Sequence, residues 1–491
     1  MSYLMKKLIL ASMILVLILG ISSCRLNDDE DDPPPSRKFW AQNASTEEFY
    51  QVDAEQLAVG KKCVIWAEKS AKVSAETAKS IASEYDSNIY GKMLNVFGIT
   101  ANFTYNGKVV ATNTLEYADW LGDGDGKLAI LLLDIKDEYQ SSSDGYVAGY
   151  FWAGNFYKDP PLPGYRSNEM DMMYVDVNPG VPDSLQSNVT FAHELQHLMN
   201  FATSTVIPER IVNDQLISMD TWIDEGLSTA AEYVYLGRHD TSRIAWFNQD
   251  REETIAQGNN FFVWGNHKDV PNAILDDYAT AYLFFQWLRI QSVKGIDIYK
   301  DIITSPHADY RAVTTAMSQT WETLLGNWLK ANYMNASSGA DGYKGELAAR
   351  VWAVAGGSKP LYPGEGVYSI SNSTSSDTGN VRFAQISRST TVTGLPYKNA
   401  TDELTAAYTT GYIGDRVLMY NANVDQSPVE TGTLPGTGET KPSLTSLSVR
   451  GVLGEAGPFA ISAQDVLHRK GHNGREIDFG DLPRVEIDGS N

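Results

Sequence analysis

The feature that most constrains this chain lies in residues 190–201, TFAHELQHLMNF. In a helix, His193 and His197 are one turn apart on the same face, so both imidazoles can reach one metal ion. Glu194 sits at the edge of that face, placed to take a proton from water at the metal. Phe191, Leu195, Leu198 and Phe201 surround them with apolar surface. The pattern demands a buried helix and a partner element that brings in a further ligand, since a catalytic zinc keeps three protein ligands and one open position.

The texture around this helix is mixed. Residues 39–70 alternate as short strands, 74–97 have helical periodicity, and 128–133 (LAILLL) form an unbroken apolar run that predicts a strand buried on both faces. Residues 149–156 and 170–177 read as further strands, separated by a Pro/Gly-rich loop at 159–164. Helices are predicted over 186–202, 221–237, 275–293 and 319–333. Beyond about 340, Gly, Ser and Thr become frequent and short β-like runs are separated by turns, which predicts a β-sandwich-like region. The fold class is therefore α+β, with a mixed sheet followed by a helical half and then a β-rich end.

The amino terminus reads as an export signal. Lys6 and Lys7 precede an apolar run at 8–20, too short to span a bilayer comfortably. Ile21-Ser22-Ser23-Cys24 resembles the lipobox of bacterial lipoproteins, and that resemblance implies cleavage before Cys24 and acylation of its thiol. The expected location is extracytoplasmic, anchored to a membrane through Cys24. An acidic run at 28–32 and three prolines then suit an extended tether. The predicted divisions are 1–23 signal peptide, 24–37 tether, 38–120 N-terminal α/β segment, 121–338 catalytic domain and 339–491 C-terminal β-rich domain. A propeptide within 25–70 is compatible with this layout. Cys63 reads as a small buried hydrophobe, because no neighbour would activate its thiol. The net charge of −22 opposes binding to nucleic acid, and it suits a solvated exported protein.

Downstream of the two histidines lies Thr221-Trp222-Ile223-Asp224-Glu225-Gly226-Leu227-Ser228. HExxH followed by W-x-x-E-G-x-S resembles the gluzincins, whose corresponding Glu is the third zinc ligand. The metzincin pattern fails, because Asn200 and Thr203 stand where its Gly and His would be. Within the gluzincins, residues 121–127 (LGDGDGK), 149–152 (GYFW), HELQHLMNF and the W-x-x-E-G-x-S segment are similar to the hyicolysin family of bacterial neutral metallopeptidases, over roughly residues 60–335. The resemblance implies one catalytic zinc held by His193, His197 and Glu225, with Glu194 as general base and then general acid. Glu232, seven residues on, competes for the third position. Where many gluzincins carry a carboxylate that orients a zinc-binding His, this chain has Thr229; Glu232 and Asp224 are possible substitutes. Tyr278 is the candidate oxyanion donor, with His239 and His267 as alternatives.

These residues predict a zinc-dependent endopeptidase acting on protein or peptide substrates. A surface adhesin or binding lipoprotein with a structural or inactive zinc site is the alternative. An amide hydrolase acting on glycoprotein or peptidoglycan stems is a third reading. Asp123-Gly124-Asp125-Gly126-Lys127 invites calcium, but Leu121 breaks the EF-hand pattern and a tight turn before the 128–133 strand accounts for the glycines. Oligomeric state is not legible.

Overall fold

The computed structural model describes residues 34–141, 146–160, 164–208, 210–212, 215–216, 218–250, 254–255, 258–259, 264 and 273–351, with shorter stretches between 364 and 488. The expected signal peptide, Cys24 and the acidic run at 28–32 lie outside the described residues.

The frame is a mixed sheet. Its strands are β1 (Ser36–Gln42), β2 (Phe49–Val59), β3 (Cys63–Glu68), β6 (Leu128–Leu133), β7 (Tyr146–Phe151) and β8 (Met172–Asp176). They run in the order β1-β2-β3-β6-β8-β7, and a short strand at Ala460–Ser462 adds to β7. The central strands β3, β6 and β8 are parallel, while β2 and β7 run antiparallel to their inner neighbours. A hairpin of β4 (Asn102–Tyr105) and β5 (Lys108–Ala111) stands apart from this sheet.

The unbroken apolar run of β6 follows from its place in the middle. Leu128, Ile130 and Leu132 join the large core beneath the helices, whereas Ala129, Leu131 and Leu133 point into a second core with Phe39, Ala41, Val52, Tyr150 and Tyr174. Period-two geometry sends alternate side chains to opposite faces, so a strand covered on both must be apolar throughout. The second face closes because the sheet curls. The Tyr150 hydroxyl accepts from the Gln42 amide at 3.0 Å, and the Tyr174 hydroxyl donates to the Trp40 carbonyl at 3.0 Å. Two tyrosines from the far side of the sheet thereby tie down the backbone of β1.

The helices are α1 (Ala75–Glu84), α2 (Tyr90–Phe97), α3 (Thr114–Leu121), α4 (Leu185–Asn200), α5 (Thr221–Leu236), α6 (Thr241–Gln249), α7 (Ala273–Gln291), α8 (Ile298–Ile303), α9 (Tyr310–Met317) and α10 (Trp321–Met334). The helix expected over 74–97 is interrupted by a π turn at Tyr85–Ile89. Within that turn, Asp86 accepts the amides of Lys61 and Lys62 at 2.6 and 2.8 Å, closing the turn between β2 and β3. The strand expected over 149–156 ends at Phe151, where a 3-10 turn (Ala153–Phe156) begins. Cys63 is a fully buried free thiol whose pKa is pushed up by burial, in keeping with a packing role.

Strands from 38–120 form one side of this sheet and strands from 121–338 the other, joined where β3 pairs with β6. Toward the C-terminal end, strands at Gly366–Ile370, Val381–Val392 and Tyr412–Asn421 pair antiparallel, with Tyr412–Asn421 in the middle. The expected β-sandwich falls largely outside the described residues. Among the described residues, no helix is long and apolar enough to cross a membrane.

The closest helix packing predicts a contrast between two glycines. A Cβ on Gly226 of α5 would lie 2.2 Å from Phe285 Cε2 of α7, whereas one on Gly91 of α2 would meet nothing within 4 Å. Gly226→Ala should therefore cost about 1–3 kcal/mol, because one helix must shift off the other. Gly91→Ala should be neutral or stabilising by up to about 1 kcal/mol. Urea unfolding midpoints check this; equal midpoints would show that the α5–α7 contact is loose.

Candidate metal centre

Two buried helices build the site. α4 starts on the Ser184 hydroxyl, which accepts from the Ser187 amide at 3.1 Å. From Ser187 to Asn200 every residue is buried, so this helix is a core element throughout. The expected segment 186–202 ends as α-helix at Asn200 and widens into a π turn over Phe201–Val206. α5 follows, and ends at Gly237, whose φ of 65° gives the left-handed cap that a glycine adopts without strain.

The packing of α4 on α5 brings three ligand atoms together. Glu225 Oε2 lies 3.3 Å from His193 Nε2 and 3.5 Å from His197 Nε2. The edge of a tetrahedron with bonds of about 2.1 Å is about 3.4 Å, so these spacings suit zinc. None of the three atoms has a hydrogen-bond partner, although all are buried. Buried polar atoms that face one another without such partners are an expensive arrangement unless a cation lies among them. His193, His197 and Glu225 could thus hold a metal ion.

The other ring nitrogens are occupied. His193 Nδ1 lies 2.9 Å from Glu232 Oε1, and His197 Nδ1 lies 3.0 Å from Asp224 Oδ2. A proton on each Nδ1, donated to a carboxylate, leaves the Nε2 lone pair free to face Glu225. Glu232 therefore stands behind His193 rather than beside Glu225, and the two roles weighed for it are separated by geometry. Asp224 does for His197 what Glu232 does for His193. Thr229, at the position of the missing carboxylate, donates instead to the carbonyl of Gly226 at 3.0 Å.

Charge in this enclosure is balanced locally. Burial opposes ionisation of Glu225, but His197 and His193 outweigh it and hold its carboxyl well below the usual range. Burial also disfavours a charged His193, yet Glu225 and Glu232 raise it to about 9. Glu194 goes the other way. Burial pushes its carboxyl up to about 7 while His193 and His197 pull it down, and its Oε2 has no hydrogen-bond partner.

Residue patterns alone do not reveal several supporting groups. Arg243, on α6, reaches Glu232 through Nη2 at 2.7 Å and Nε at 3.2 Å, and all of these atoms belong to buried side chains. Its guanidinium carbon lies 5.0 Å from the ring centre of Tyr278. An arginine set beside Ile244, Trp246 and Phe247 was the available signal, because an apolar setting obliges a cation to find an acid. Ser228 Oγ lies 3.1 Å from His197 Nδ1 and donates to Gln196 Oε1 at 2.5 Å, and Asn200 donates to Asp224. Tyr278 is fully buried with its ring 6.3 Å from that of His193 and 5.1 Å from Trp264. His239 instead faces the Tyr282 hydroxyl at 3.2 Å and Glu346 at 3.5 Å. His267 lies outside the described residues.

Comparison with known proteins gives one relative of note. The chain is 29% identical over 304 residues to a protein described as neutral metalloprotease ShpI, from Staphylococcus hyicus. The likeness covers 61% of this chain, which spans about three fifths (59%) of the length of that curated relative. It supports a relationship to bacterial neutral metallopeptidases. No family model matches.

The carboxylates behind the two histidines predict separable effects on metal affinity. Asp224→Asn should weaken zinc binding by about 10–100-fold, because His197 loses its charged acceptor. Glu232→Gln should do the same and also lower the melting temperature, since Arg243 is left buried without its acid. Competition with a chromophoric chelator measures the first effect and thermal unfolding the second. Wild-type zinc affinity in both variants would show that these contacts do not orient the ligands.

Proposed function

We propose that this protein is a zinc-dependent endopeptidase of gluzincin type that hydrolyses peptide bonds in proteins or peptides outside the cytoplasm. The observation that carries the reading is the set of buried, unpartnered atoms on His193, His197 and Glu225 with the Glu194 carboxyl beside them. The likeness to a neutral metalloprotease supports it from outside the site.

Zinc held by these three residues would supply Lewis acidity toward a scissile carbonyl and toward water. The chain's own groups supply the proton handling. Glu194, buried next to His193, is placed to accept a proton from the attacking water and return it to the departing amine, so it serves as base and then as acid. Glu232 and Asp224 hold the two imidazoles in one tautomer. Tyr278, its ring packed near His193, Arg243 and Trp264, is the proposed donor to the oxyanion.

Purified protein and a generic protein substrate test this. Glu194→Ala should keep one zinc and lose hydrolysis by at least about 100-fold, the scale of general base catalysis. His193→Ala should lose both zinc and activity, and chelation of the wild type should abolish turnover. In the same series Tyr278→Phe should lower kcat more than it changes KM. Unimpaired hydrolysis by Glu194→Ala would overturn the mechanism. A zinc-loaded wild type that cleaves no protein or peptide would favour the binding-lipoprotein reading, and release of peptidoglycan stems alone would favour the amide hydrolase.

The lipobox-like Ile21-Ser22-Ser23-Cys24 supports an anchored location, with the acidic and proline-rich stretch as tether. In a detergent phase partition, the protein from cells should enter the detergent phase, and Cys24→Ala should move it to the aqueous phase. Aqueous partition of the unaltered protein would overturn the anchor.

A further inference from the structure

One strand edge beside the metal centre is covered by a distant part of the same chain. β8 pairs with β7 on one side. On the other side, the outer edge of β7 takes Ala460–Ser462, its only partner there among the described residues. An uncovered edge strand presents a row of unpaired N–H and C=O groups, which an extended peptide can complete. The register sets Ala460 opposite Tyr146 and Ser462 opposite Gly149, with the two strands parallel.

Gly149 shows where this edge lies. A Cβ there would sit 2.8 Å from Thr190 Cγ2 and 3.1 Å from Glu194 Cγ, so the backbone of β7 runs directly against the turn of α4 that carries Glu194. Neighbouring strands stand about 4.8 Å apart. A segment opposite Gly149 therefore lies one strand spacing from the backbone that touches the Glu194 side chain. A peptide brought to Glu194 in extended form would meet the same edge.

The pairing is short and out of step. It spans three residues of the tail, and two residues of β7, Val147 and Ala148, stand opposite one, Ile461. Parallel ladders are less stable per residue than antiparallel ones, and a bulge leaves one residue unpaired. At that bulge the Val147 amide donates to Asp137 Oδ2 at 2.6 Å. Further along, Glu486–Asp488 pairs antiparallel with β4, so the tail is tied to the frame a second time. A weak ladder on a tail held elsewhere opens readily and finds its place again.

We propose that Ala460–Ser462 is a built-in occupant of the β7 edge, which closes the approach to Glu194 until an extended substrate displaces it. The consequence for turnover rests on the proposed endopeptidase activity, whereas the docking does not.

The full-length protein and its Ala460→Pro/Ser462→Pro variant test this, because proline has no amide to give to a ladder. The amides of β7 should exchange with deuterium faster in the variant, while those of β6 stay protected and show the frame intact. A fluorescein-labelled peptide of residues 456–466 should bind the variant saturably. It should bind the wild type at least about tenfold more weakly, since a tethered segment competes at high effective concentration. On a fluorogenic peptide substrate the variant should have kcat/KM raised by at least about tenfold, and the unlabelled 456–466 peptide should inhibit it competitively. Equal peptide binding or equal β7 exchange in the two proteins would overturn the docking. Equal kcat/KM in two active proteins would overturn the closure. If neither protein hydrolyses peptides while binding still differs, the occupant stands and the endopeptidase reading fails.

Discussion

Everything at the candidate metal centre depends on the contact of α4 with α5. Each helix is buried along almost its whole length, yet each carries ionisable side chains inward. Such groups persist in a core only when every charge has a partner. Here the chain of partners runs from Arg243 to Glu232, to His193, to Glu225, to His197 and to Asp224. Signs alternate along it when the imidazoles are protonated. With a cation between the Nε2 atoms and neutral rings, the same chain remains balanced. The arrangement therefore tolerates either occupant of the centre, proton or metal, without an uncompensated interior charge.

The apolar surroundings fix the geometry of that chain. Gly226 lets Phe285 approach the backbone of α5, and Trp222 packs on Phe284 and Phe285 from the same helix face. A rigid contact on that side leaves Glu225 little freedom in how it meets the histidines. The glycine and tryptophan of the W-x-x-E-G-x-S pattern are thus packing residues that aim Glu225 at the histidines, and Ser228 completes the pattern against His197.

How much of this was legible beforehand follows from the range over which each signal acts. His193, Glu194 and His197 were readable because one helical turn fixes their relation, and β6 was readable because burial on both faces leaves an uninterrupted apolar run. Glu225 could be named only through resemblance to a family. The partners of the imidazoles were not separable, since Glu232 and Asp224 differ in what they reach only after α5 has packed on α4. Arg243 was missed altogether, because its partner belongs to another helix. The π turns at Tyr85–Ile89 and Phe201–Val206 were likewise invisible. They change helical pitch over one turn, and the apolar periodicity on either side survives.

The tie between β1 and the far tyrosines bears on how an anchored form could become a free one. Residues 37–70 include most of β1 and all of β2 and β3, and β3 lies beside the central strand β6. Removing them as a propeptide would strip a wall from the second core and leave Tyr150 and Tyr174 without the backbone groups they hold. On the proposed anchor at Cys24, a protease that sheds the described fold intact would have to cut between Cys24 and Ser36. That short window is made chiefly of acidic residues and prolines, so release would be governed by a protease's tolerance for that composition.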